Sequence, residues 1–296
     1  MRLYEWISLV FYAAFAALAW RRPLPLRRRS LVTAIAFVGI AGILRLRSTA
    51  VRDWLPLAFI PLAYWQTGQF LLPLNNWFQS KLESFDRKHL GRRSPPFMWL
   101  LELCYLFCYP SVPLGLVALY LSGMGRFAEE FWNVVLPPAY ACYATFPFVQ
   151  TLPPRAGERD TSWQPQQTSL RNLNLFVLRH VSIQANTFPS GHVAASLAVA
   201  LELLSHVPPA GFLFLLLSIA IAAGAFWGRY HYGLDVLLGA LLAVASFLTA
   251  VSSAPQTIDA GFPLCLSFRK SLYGPLDVHG VTIPRAKSSL PQVPGR

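Results

Sequence analysis

Asn186-Thr187-Phe188-Pro189-Ser190-Gly191-His192 is the most informative stretch of this chain, because a long apolar run begins directly after it. A second stretch, Gly228-Arg229-Tyr230-His231-Tyr232-Gly233-Leu234-Asp235, lies between two further apolar runs. In both cases polar residues stand beside a segment suited to the interior of a bilayer. Each stretch therefore predicts a histidine at a membrane surface, at the end of a membrane-embedded helix.

The composition predicts a polytopic membrane protein. Of the 296 residues, 54% are hydrophobic and 13% are charged, and the mean hydropathy is +0.43. Soluble domains carry about 25% charged residues. Apolar runs of about 20 residues, enough to cross a bilayer, recur along the chain. We therefore predict an all-α bundle of six to eight transmembrane helices, with spans near 3–20, 31–45, 54–73, 97–122, 127–152, 190–206, 211–228 and 232–253.

The same pattern divides the chain into four parts. N-terminal transmembrane helices occupy 1–73, and a basic interfacial connection occupies 74–96. A catalytic transmembrane core occupies 97–253, and a partly disordered tail without apolar periodicity occupies 254–296. Within the long connection before the second half of the core, residues 170–181 predict a short interfacial helix.

The formal net charge of +12 could indicate nucleic acid binding. However, the basic residues cluster in connections that flank apolar runs. This distribution fits the positive-inside bias and contact with anionic headgroups better than a groove for DNA. We therefore expect no nucleic acid partner. The two clusters are Arg21, Arg22, Arg27, Arg28 and Arg29, and Lys81, Arg87, Lys88, Arg92 and Arg93.

The order of the spans constrains which polar residues meet. The fifth and seventh predicted spans end, and the sixth and eighth begin, on one side of the membrane, because consecutive spans cross in opposite directions. These ends lie near Leu152, Ser190, Gly228 and His231. The residues that this brings to one face are Arg155, His192, Arg229, His231 and Asp235.

His231 and Asp235 are four residues apart, which places both on one face of a helix. A hydrogen bond from one ring nitrogen to Asp235 leaves the other nitrogen deprotonated, and the carboxylate stabilises the positive imidazole that forms during nucleophilic attack. A carboxylate inside an apolar run is costly and normally has a partner. The alternative is a structural pair that ties the last helix to its neighbours.

Ser190, Gly191 and His192 open the sixth predicted span. Ser190 is a suitable N-cap, Gly191 permits close approach to the backbone, and free amides at a helix N-terminus bind anions. A phosphate held there would bring its leaving group near His192, a candidate general acid. The alternative is an ordinary capped helix start.

Arg155 and Arg229 add positive charge to the same face. A phosphoryl transition state spreads negative charge over its equatorial oxygens. The planar guanidinium of arginine can donate to two of these oxygens at once, so it binds them better than an ammonium does. The alternative is that either arginine extends to the headgroup layer. Five such groups on one face favour phosphoryl transfer without a metal or other cofactor. Among the remaining polar residues in the spans, Glu102 is the best candidate for a functional or packing role.

At these residues the chain resembles the type 2 phosphatidic acid phosphatase superfamily, whose motifs are Lys-x6-Arg-Pro, Pro-Ser-Gly-His and Ser-Arg-x5-His-x3-Asp. Residues 189–192 match the second motif in full, and His231 with Asp235 matches the end of the third. The resemblance extends over residues 97–253. It implies a phosphohistidine on His231, leaving-group protonation by His192, and phosphate contacts from arginines and from the backbone of Ser190 and Gly191.

The chain departs from the family pattern at both arginine positions. In the third motif Ala225 stands where the arginine is expected, and Arg229 comes two residues before His231. In the first motif Phe148 replaces the lysine, and prolines precede Arg155 instead of following it. With a histidine-tyrosine pair before its aspartate, the chain is more similar to the branch that contains inositol phosphorylceramide synthase and the sphingomyelin synthases.

Three functions are open at this point. The first is a membrane enzyme that acts on a lipid phosphate or phosphodiester, with water or a polyol or other alcohol resolving the phosphoenzyme. The second is an anionic lipid transporter or binding protein that uses the same cluster to hold a headgroup or relay protons. The third is haem ligation by His192 and His231. The motif match favours the first.

We expect a multi-pass protein of a bacterial inner membrane. With eight spans, the predicted site shares its side with the basic loops at 21–30 and 74–96, which favours a cytoplasmic site. The resemblance implies an extracytoplasmic one, and the short second span leaves the number of preceding crossings open. We therefore expect an extracytoplasmic catalytic face.

Overall fold

The computed structural model describes residues 1–45, 48–71, 73–89, 95–157, 164–185 and 188–253. All regular secondary structure in these segments is helical. The predicted tail at 254–296 lies outside the described residues, as do Asn186 and Thr187. The helices are α1 (Leu3–Arg21), α2 (Leu26–Leu44), α3 (Thr49–Trp54), α4 (Pro56–Thr67), α5 (Asn76–His89), α6 (Met98–Leu106), α7 (Ser111–Leu121), α8 (Ala128–Ala144), α9 (Pro154–Gly157), α10 (Ser169–Val181), α11 (Gly191–His206), α12 (Pro208–Trp227) and α13 (Gly233–Ser253).

Three of these helices, α1, α12 and α13, are long and apolar enough to cross a membrane. A fourth candidate is the pair α6 and α7, which is bent by 71° at its break. The described part of the chain therefore has three to four candidate spans, fewer than the six to eight predicted. The difference has a simple cause. The helices α4, α8 and α11 have only 12, 17 and 16 residues, and α2 begins with arginines at 27–29.

Helix α11 lies at the centre of the bundle and packs against α7, α8, α12 and α13. Small side chains allow helices in a membrane to approach closely, and α11 buries five of them. Close approach also occurs where α13 crosses the start of α11. A Cβ on Gly239 would lie 2.5 Å from the carbonyl oxygen of Ser190, so only glycine fits there. The buried small residues of α11 are Ala194, Ala195, Ser196, Ala198 and Ala200.

The N-terminal helices pack on α8 through an aromatic core that fixes α4 beside the rest of the bundle. The Tyr12 hydroxyl donates to the carbonyl oxygen of Phe59 at 2.8 Å, and the Gln66 amide donates to the carbonyl oxygen of Tyr12 at 3.0 Å. Tyr140 stacks on Phe11 with 4.5 Å between ring centroids. The far side of α4 is thereby held against the cavity described below.

Two further helices, α5 and α10, lie in the connections between the longer ones. The predicted helix at 170–181 is confirmed, since α10 covers Ser169–Val181. Each turns polar residues inward, Asp86 from α5 and Arg171 from α10, and leaves aromatic residues such as Trp77 and Phe176 exposed. Helix α5 packs on α13 and α10 packs on α6. Both helices therefore contact the end of the bundle that carries the two histidines.

Candidate active site

His192 and His231 meet at one end of the bundle. His192 is the second residue of α11, and His231 lies in the turn between α12 and α13 (residues 228–232), called the 228–232 turn below. Their ring centroids are 5.9 Å apart, with 82° between the ring planes. Both rings line the same cavity. The structure thus brings together the two histidines that the sequence singles out.

His231 is oriented by Asp235. Its Nδ1 lies 3.5 Å from Oδ2 of Asp235, and the same oxygen accepts the backbone N–H of Tyr232 at 3.0 Å. The spacing predicted both residues on one helix, but α13 begins only at Gly233, so His231 precedes it. The first amides of a helix lack intrahelical partners, and the carboxylate in the first turn reaches back towards them. Nε2 is then the ring nitrogen on the side away from the carboxylate.

Ser190 joins the two histidine segments through the backbone. Its hydroxyl accepts the backbone N–H of Val193 at 3.4 Å, which confirms the predicted N-cap. Its own N–H donates to the carbonyl oxygen of Asp235 at 3.0 Å. At the next position, a Cβ on Gly191 would lie 2.9 Å from the ring of Tyr143. Glycine is therefore required here by close packing against α8.

Arg155 brings a positive charge to the cavity wall. Its guanidinium lies 5.7 Å from the centroid of the Tyr230 ring, and its backbone N–H donates to the carbonyl oxygen of Arg229 at 2.9 Å. No carboxylate of the described residues forms an ion pair with it. Burial lowers the pKa of Arg155, because the charged form loses solvation. The cavity therefore has a cationic wall that no described acidic side chain neutralises.

Arg229 has a different environment. Its Nη1 lies 3.0 Å from Oδ2 of Asp86, and both side chains are buried. Oδ1 of Asp86 accepts the backbone N–H of Gly233 at 2.9 Å. Burial raises the pKa of Asp86, although the Gly233 amide and the Arg229 guanidinium both stabilise its charged form. Arg229 does not line the cavity. Its role as a phosphate ligand stays a prediction, and its observed contact anchors the turn to α5.

Asp86 is missing from the sequence prediction. It lies among basic residues in a connection predicted to be interfacial, where an acid suggests only a solvated charge. One signal was present, because Leu82 and Asp86 stand four residues apart and so share a helix face. Both are fully buried. The partner, Arg229, is too distant in sequence for any local pattern to pair the two.

Behind the histidines, Tyr230 connects the turn to a buried polar cluster. Its ring stacks on Tyr105 with 4.2 Å between centroids. Burial raises the pKa of Tyr230, so the phenol is protonated, and it donates to Oε2 of Glu102 at 2.6 Å. Glu102 also accepts from Nη1 of Arg171 at 3.1 Å and from Nδ2 of Asn174 at 2.7 Å. The sequence predicts a role for Glu102 but not its partners, which come from the 228–232 turn and from α10.

The cavity has a volume of about 550 Å³ and two chemically different parts. His192, His231 and Arg155 form a polar end. The remaining wall is mostly apolar and includes residues of α4, α7 and α11. Such a lining suits a ligand with an anionic group and an apolar chain, because few polar groups orient the ligand while apolar surface is buried. The apolar residues include Leu57, Ile60, Val112, Pro113 and Ala195.

A separate group of metal-ligand side chains lies at the opposite end of α11. Glu130, Glu202 and His206 place one ligand atom each within 4.8 Å of one another. Nε2 of His206 is 2.9 Å from Oε1 of Glu202 and 3.5 Å from Oε2 of Glu130. These distances also describe an imidazole paired with two carboxylates. The group lies away from the histidine cavity and takes no part in it.

Comparison with known proteins agrees with the geometry of this site. The sequence model described as the PAP2 superfamily matches residues 70–249, which is more than half of the chain. The chain belongs to the PAP2 superfamily. This is the type 2 phosphatidic acid phosphatase superfamily that the motifs indicate, and the match includes both histidines, Arg155, Arg229 and Asp235. No solved structure matches the chain.

Two curated relatives match shorter segments. The chain is 32% identical over 116 residues to the bacitracin transport permease protein BcrC of Bacillus licheniformis. The aligned segment covers 38% of this chain and 55% of that protein. The chain is 31% identical over 87 residues to a PA-phosphatase related-family protein of Dictyostelium discoideum. This aligned segment covers 29% of the chain and 16% of that protein. The chain thus matches about half of the first relative and a smaller part of the second. Neither belongs by name to the inositol phosphorylceramide synthase branch.

Proposed function

We propose that this membrane protein is a lipid phosphatase or phosphotransferase that works through a phosphohistidine. The observation that carries the proposal is the guanidinium of Arg155, which no carboxylate of the described residues pairs with, in a cavity that also contains His192 and His231. Arg155 is half-buried, and a cation withdrawn from water is costly unless it is compensated, so this wall favours an anionic ligand. Two histidines beside a bound phosphate supply the nucleophile and the proton donor that phosphoryl transfer needs.

In the proposed reaction, Nε2 of His231 attacks phosphorus. Asp235 accepts a hydrogen bond from Nδ1 and stabilises the positive imidazole. A phosphorus–nitrogen bond forms while the bond to the lipid oxygen breaks, and His192 gives its proton to that oxygen. The backbone amides at Ser190 and Gly191, together with Arg155, neutralise the charge of the equatorial oxygens. Water or an alcohol then attacks phosphorus, gives up its proton to His192, and releases His231. No residue assigned here needs a metal.

The apolar wall supports a lipid as the donor. A free phosphate ester would leave most of the 550 Å³ unfilled, whereas an acyl or isoprenoid chain would bury apolar surface against α4 and α7. The polar end lies where α11 and α13 begin, and α5 and α10, which pack on α13 and α6, leave Trp77 and Phe176 exposed. A lipid whose headgroup stays at the interface can therefore place its phosphate beside the histidines.

Hydrolysis and transfer share these steps and differ only in the acceptor. The histidine-tyrosine pair at 231–232 resembles the inositol phosphorylceramide synthase branch, which favours transfer to an alcohol such as inositol. The decisive experiment incubates purified protein with a radiolabelled lipid phosphate or phosphodiester, with and without candidate alcohols. Inorganic phosphate as the sole product indicates a phosphatase, and a new phosphodiester indicates a transferase. Turnover of neither kind would contradict the proposal.

A second candidate function is transport or binding of an anionic lipid without chemistry. It is favoured by one observation, that a relative is named a transport permease. The same cluster would then hold a headgroup, and His231 would acquire no phosphoryl group. Release of phosphate by purified protein in detergent separates the two candidates, because transport requires a closed membrane and hydrolysis does not.

A further inference from the structure

The break between α6 and α7 lines the histidine cavity. The two helices are bent by 71° at residues between Leu106 and Ser111, and Cys108 and Tyr109 from this break lie in the cavity wall. Non-helical backbone at membrane depth is tolerated where it is buried in protein or lines a cavity. Breaks of this kind in membrane helices frequently mark binding sites. The side chains that the break presents to the cavity are therefore candidates for contacts with a ligand.

Tyr109 stands next to the proposed general acid. Its ring meets His192 edge to face, with 5.3 Å between centroids and 70° between planes. Its hydroxyl oxygen is buried, and no described residue forms a hydrogen bond with it. Buried polar atoms have a partner in the large majority of cases. Among the described residues Tyr109 has no such partner, although it lies beside His192, the proposed general acid.

Tyr64, on α4, provides the contrast within the same cavity. Its hydroxyl donates to Oγ of Ser182 at 3.2 Å and accepts the backbone N–H of Ile183 at 2.9 Å. Both phenols line the cavity. The Tyr64 hydroxyl is satisfied by the connection after α10, and the Tyr109 hydroxyl has no hydrogen-bond partner among the described residues. The Tyr64 hydroxyl is therefore structural, whereas the Tyr109 hydroxyl is available to a ligand.

We infer that the Tyr109 hydroxyl donates a hydrogen bond to a phosphate oxygen of the substrate. This rests on the proposed function, and it adds a substrate-binding residue outside the three sequence motifs. A phenol is a good donor, and a bond to a charged oxygen is stronger than one between neutral groups. Formation of this hydrogen bond neither makes nor breaks a covalent bond. It holds the phosphate beside His192, so its loss affects the use of substrate and leaves the stability of the empty protein unchanged.

The experiment compares wild-type protein with the variants Tyr109→Phe and Tyr64→Phe in the same detergent. Dioctanoyl phosphatidic acid serves as substrate for kcat and KM, and inorganic phosphate serves as a ligand whose effect on Tm is measured. For Tyr109→Phe we expect kcat/KM to fall about 10- to 100-fold, an unchanged Tm without phosphate, and a smaller rise of Tm with phosphate. For Tyr64→Phe we expect Tm to fall by about 2–4 °C, because hydrogen bonds within the protein are lost.

Each result decides the matter. Wild-type kcat/KM and a wild-type phosphate effect in Tyr109→Phe would overturn the inference, and so would a fall of Tm like that of Tyr64→Phe, which would assign the hydroxyl a structural partner. If wild-type protein does not turn over this lipid, the proposed function fails for it, while the phosphate effect on Tm still tests Tyr109. No phosphate effect in wild-type protein, together with no turnover, would overturn both.

Discussion

Two carboxylates hold the 228–232 turn. Asp235 faces Nδ1 of His231, and Asp86 binds the guanidinium of Arg229 and the N–H of Gly233. Arg229 adopts the left-handed backbone conformation, with φ of 57°, which costs about 1–2 kcal/mol in a residue other than glycine. The buried pair with Asp86 offsets that cost. The orientation of the proposed nucleophile therefore depends on an acid in α5 as well as on its own aspartate.

The first prediction concerns His231. The variant His231→Ala should lose turnover by at least about a thousandfold and should form no acid-labile phosphoenzyme, because the nucleophile is absent. The measurement is phosphate release together with trapping of radiolabelled protein at low temperature. His180→Ala is the control, since this exposed histidine of α10 lies outside the cavity. Labelled phosphoenzyme in His231→Ala would disprove the proposed mechanism.

Among the elements, α10 is attached to the site through buried ionic contacts. Arg171 pairs with Glu102, and it also donates to the carbonyl oxygen of Gly228 at 2.8 Å. Both charged side chains are 2% exposed. Helix α10 is thus fixed to the same turn that carries His231. Displacement of α10 would disturb Tyr230 and, through it, the neighbouring histidine.

The second prediction tests this attachment. Glu102→Gln should destabilise the protein by about 3–5 kcal/mol, because it leaves the guanidinium of Arg171 buried without a carboxylate. Thermal unfolding in detergent measures the loss. Glu130→Gln is the matched control, since its carboxylate is largely exposed and should contribute less than about 1 kcal/mol. Equal stability of Glu102→Gln and wild-type protein would show that the cluster is not ionic in the folded state.

The third prediction concerns the crossing of α11 and α13. Gly239→Ala should reduce kcat at least about tenfold, because a Cβ 2.5 Å from the Ser190 carbonyl must push the helix starts apart and separate the two histidines. Gly42→Ala is the control. At that position the nearest atom to the added Cβ is a methyl group of Leu55 at 3.6 Å, an ordinary contact. Wild-type kcat in Gly239→Ala would indicate that the crossing is more adaptable than its geometry suggests.

Much of the site was predictable from two simple rules. Consecutive membrane spans cross in opposite directions, and a serine before an apolar run is a typical helix N-cap. The end of one apolar run and the start of the next locate Arg155, His192 and His231 on one face, and Ser190 is an evident N-cap. The partners of Arg229 and Glu102 were not predictable. Asp86 comes from α5, and Arg171 and Asn174 come from α10; in both helices these buried polar residues lie within amphipathic segments that also carry basic residues. Only the packing of those helices on α13 and α6 identifies which side faces inward.

At the scale of the whole molecule, apolar composition indicated a membrane protein correctly, but the described residues form fewer helices long and apolar enough to cross a bilayer than the six to eight predicted. The sequence runs near 54–73 and 127–152 continue as apolar chain beyond the ends of α4 and α8. The apolar composition of a run does not indicate the residue at which a helix ends. The break at residues 107–110 divides another run into two short helices. Six to eight crossings therefore remain a prediction.

The fourth prediction concerns the side of the membrane. Gln166 is exposed in the connection that precedes α10. If the catalytic face is extracytoplasmic, Gln166→Cys in a cysteine-free background should react with a membrane-impermeant thiol reagent in intact cells. A cysteine introduced at the other end of α11, in place of Ser205, is the control and should react only after permeabilisation. The reverse pattern would place the site in the cytoplasm. The background replaces Cys104, Cys108, Cys142 and Cys265.

The hydrogen bond from the Ser190 amide to the Asp235 carbonyl has a consequence for the exchange of segments between relatives. Both partners are main-chain groups, so the bond constrains the register of the two helix starts without constraining side-chain identity at either position. A chimera that receives only residues 188–206 or only 228–253 from another superfamily member would combine two independently adjusted backbones. Transplanting both segments together preserves the distance between the histidines. Recombination that respects this unit should retain activity more often than recombination that divides it.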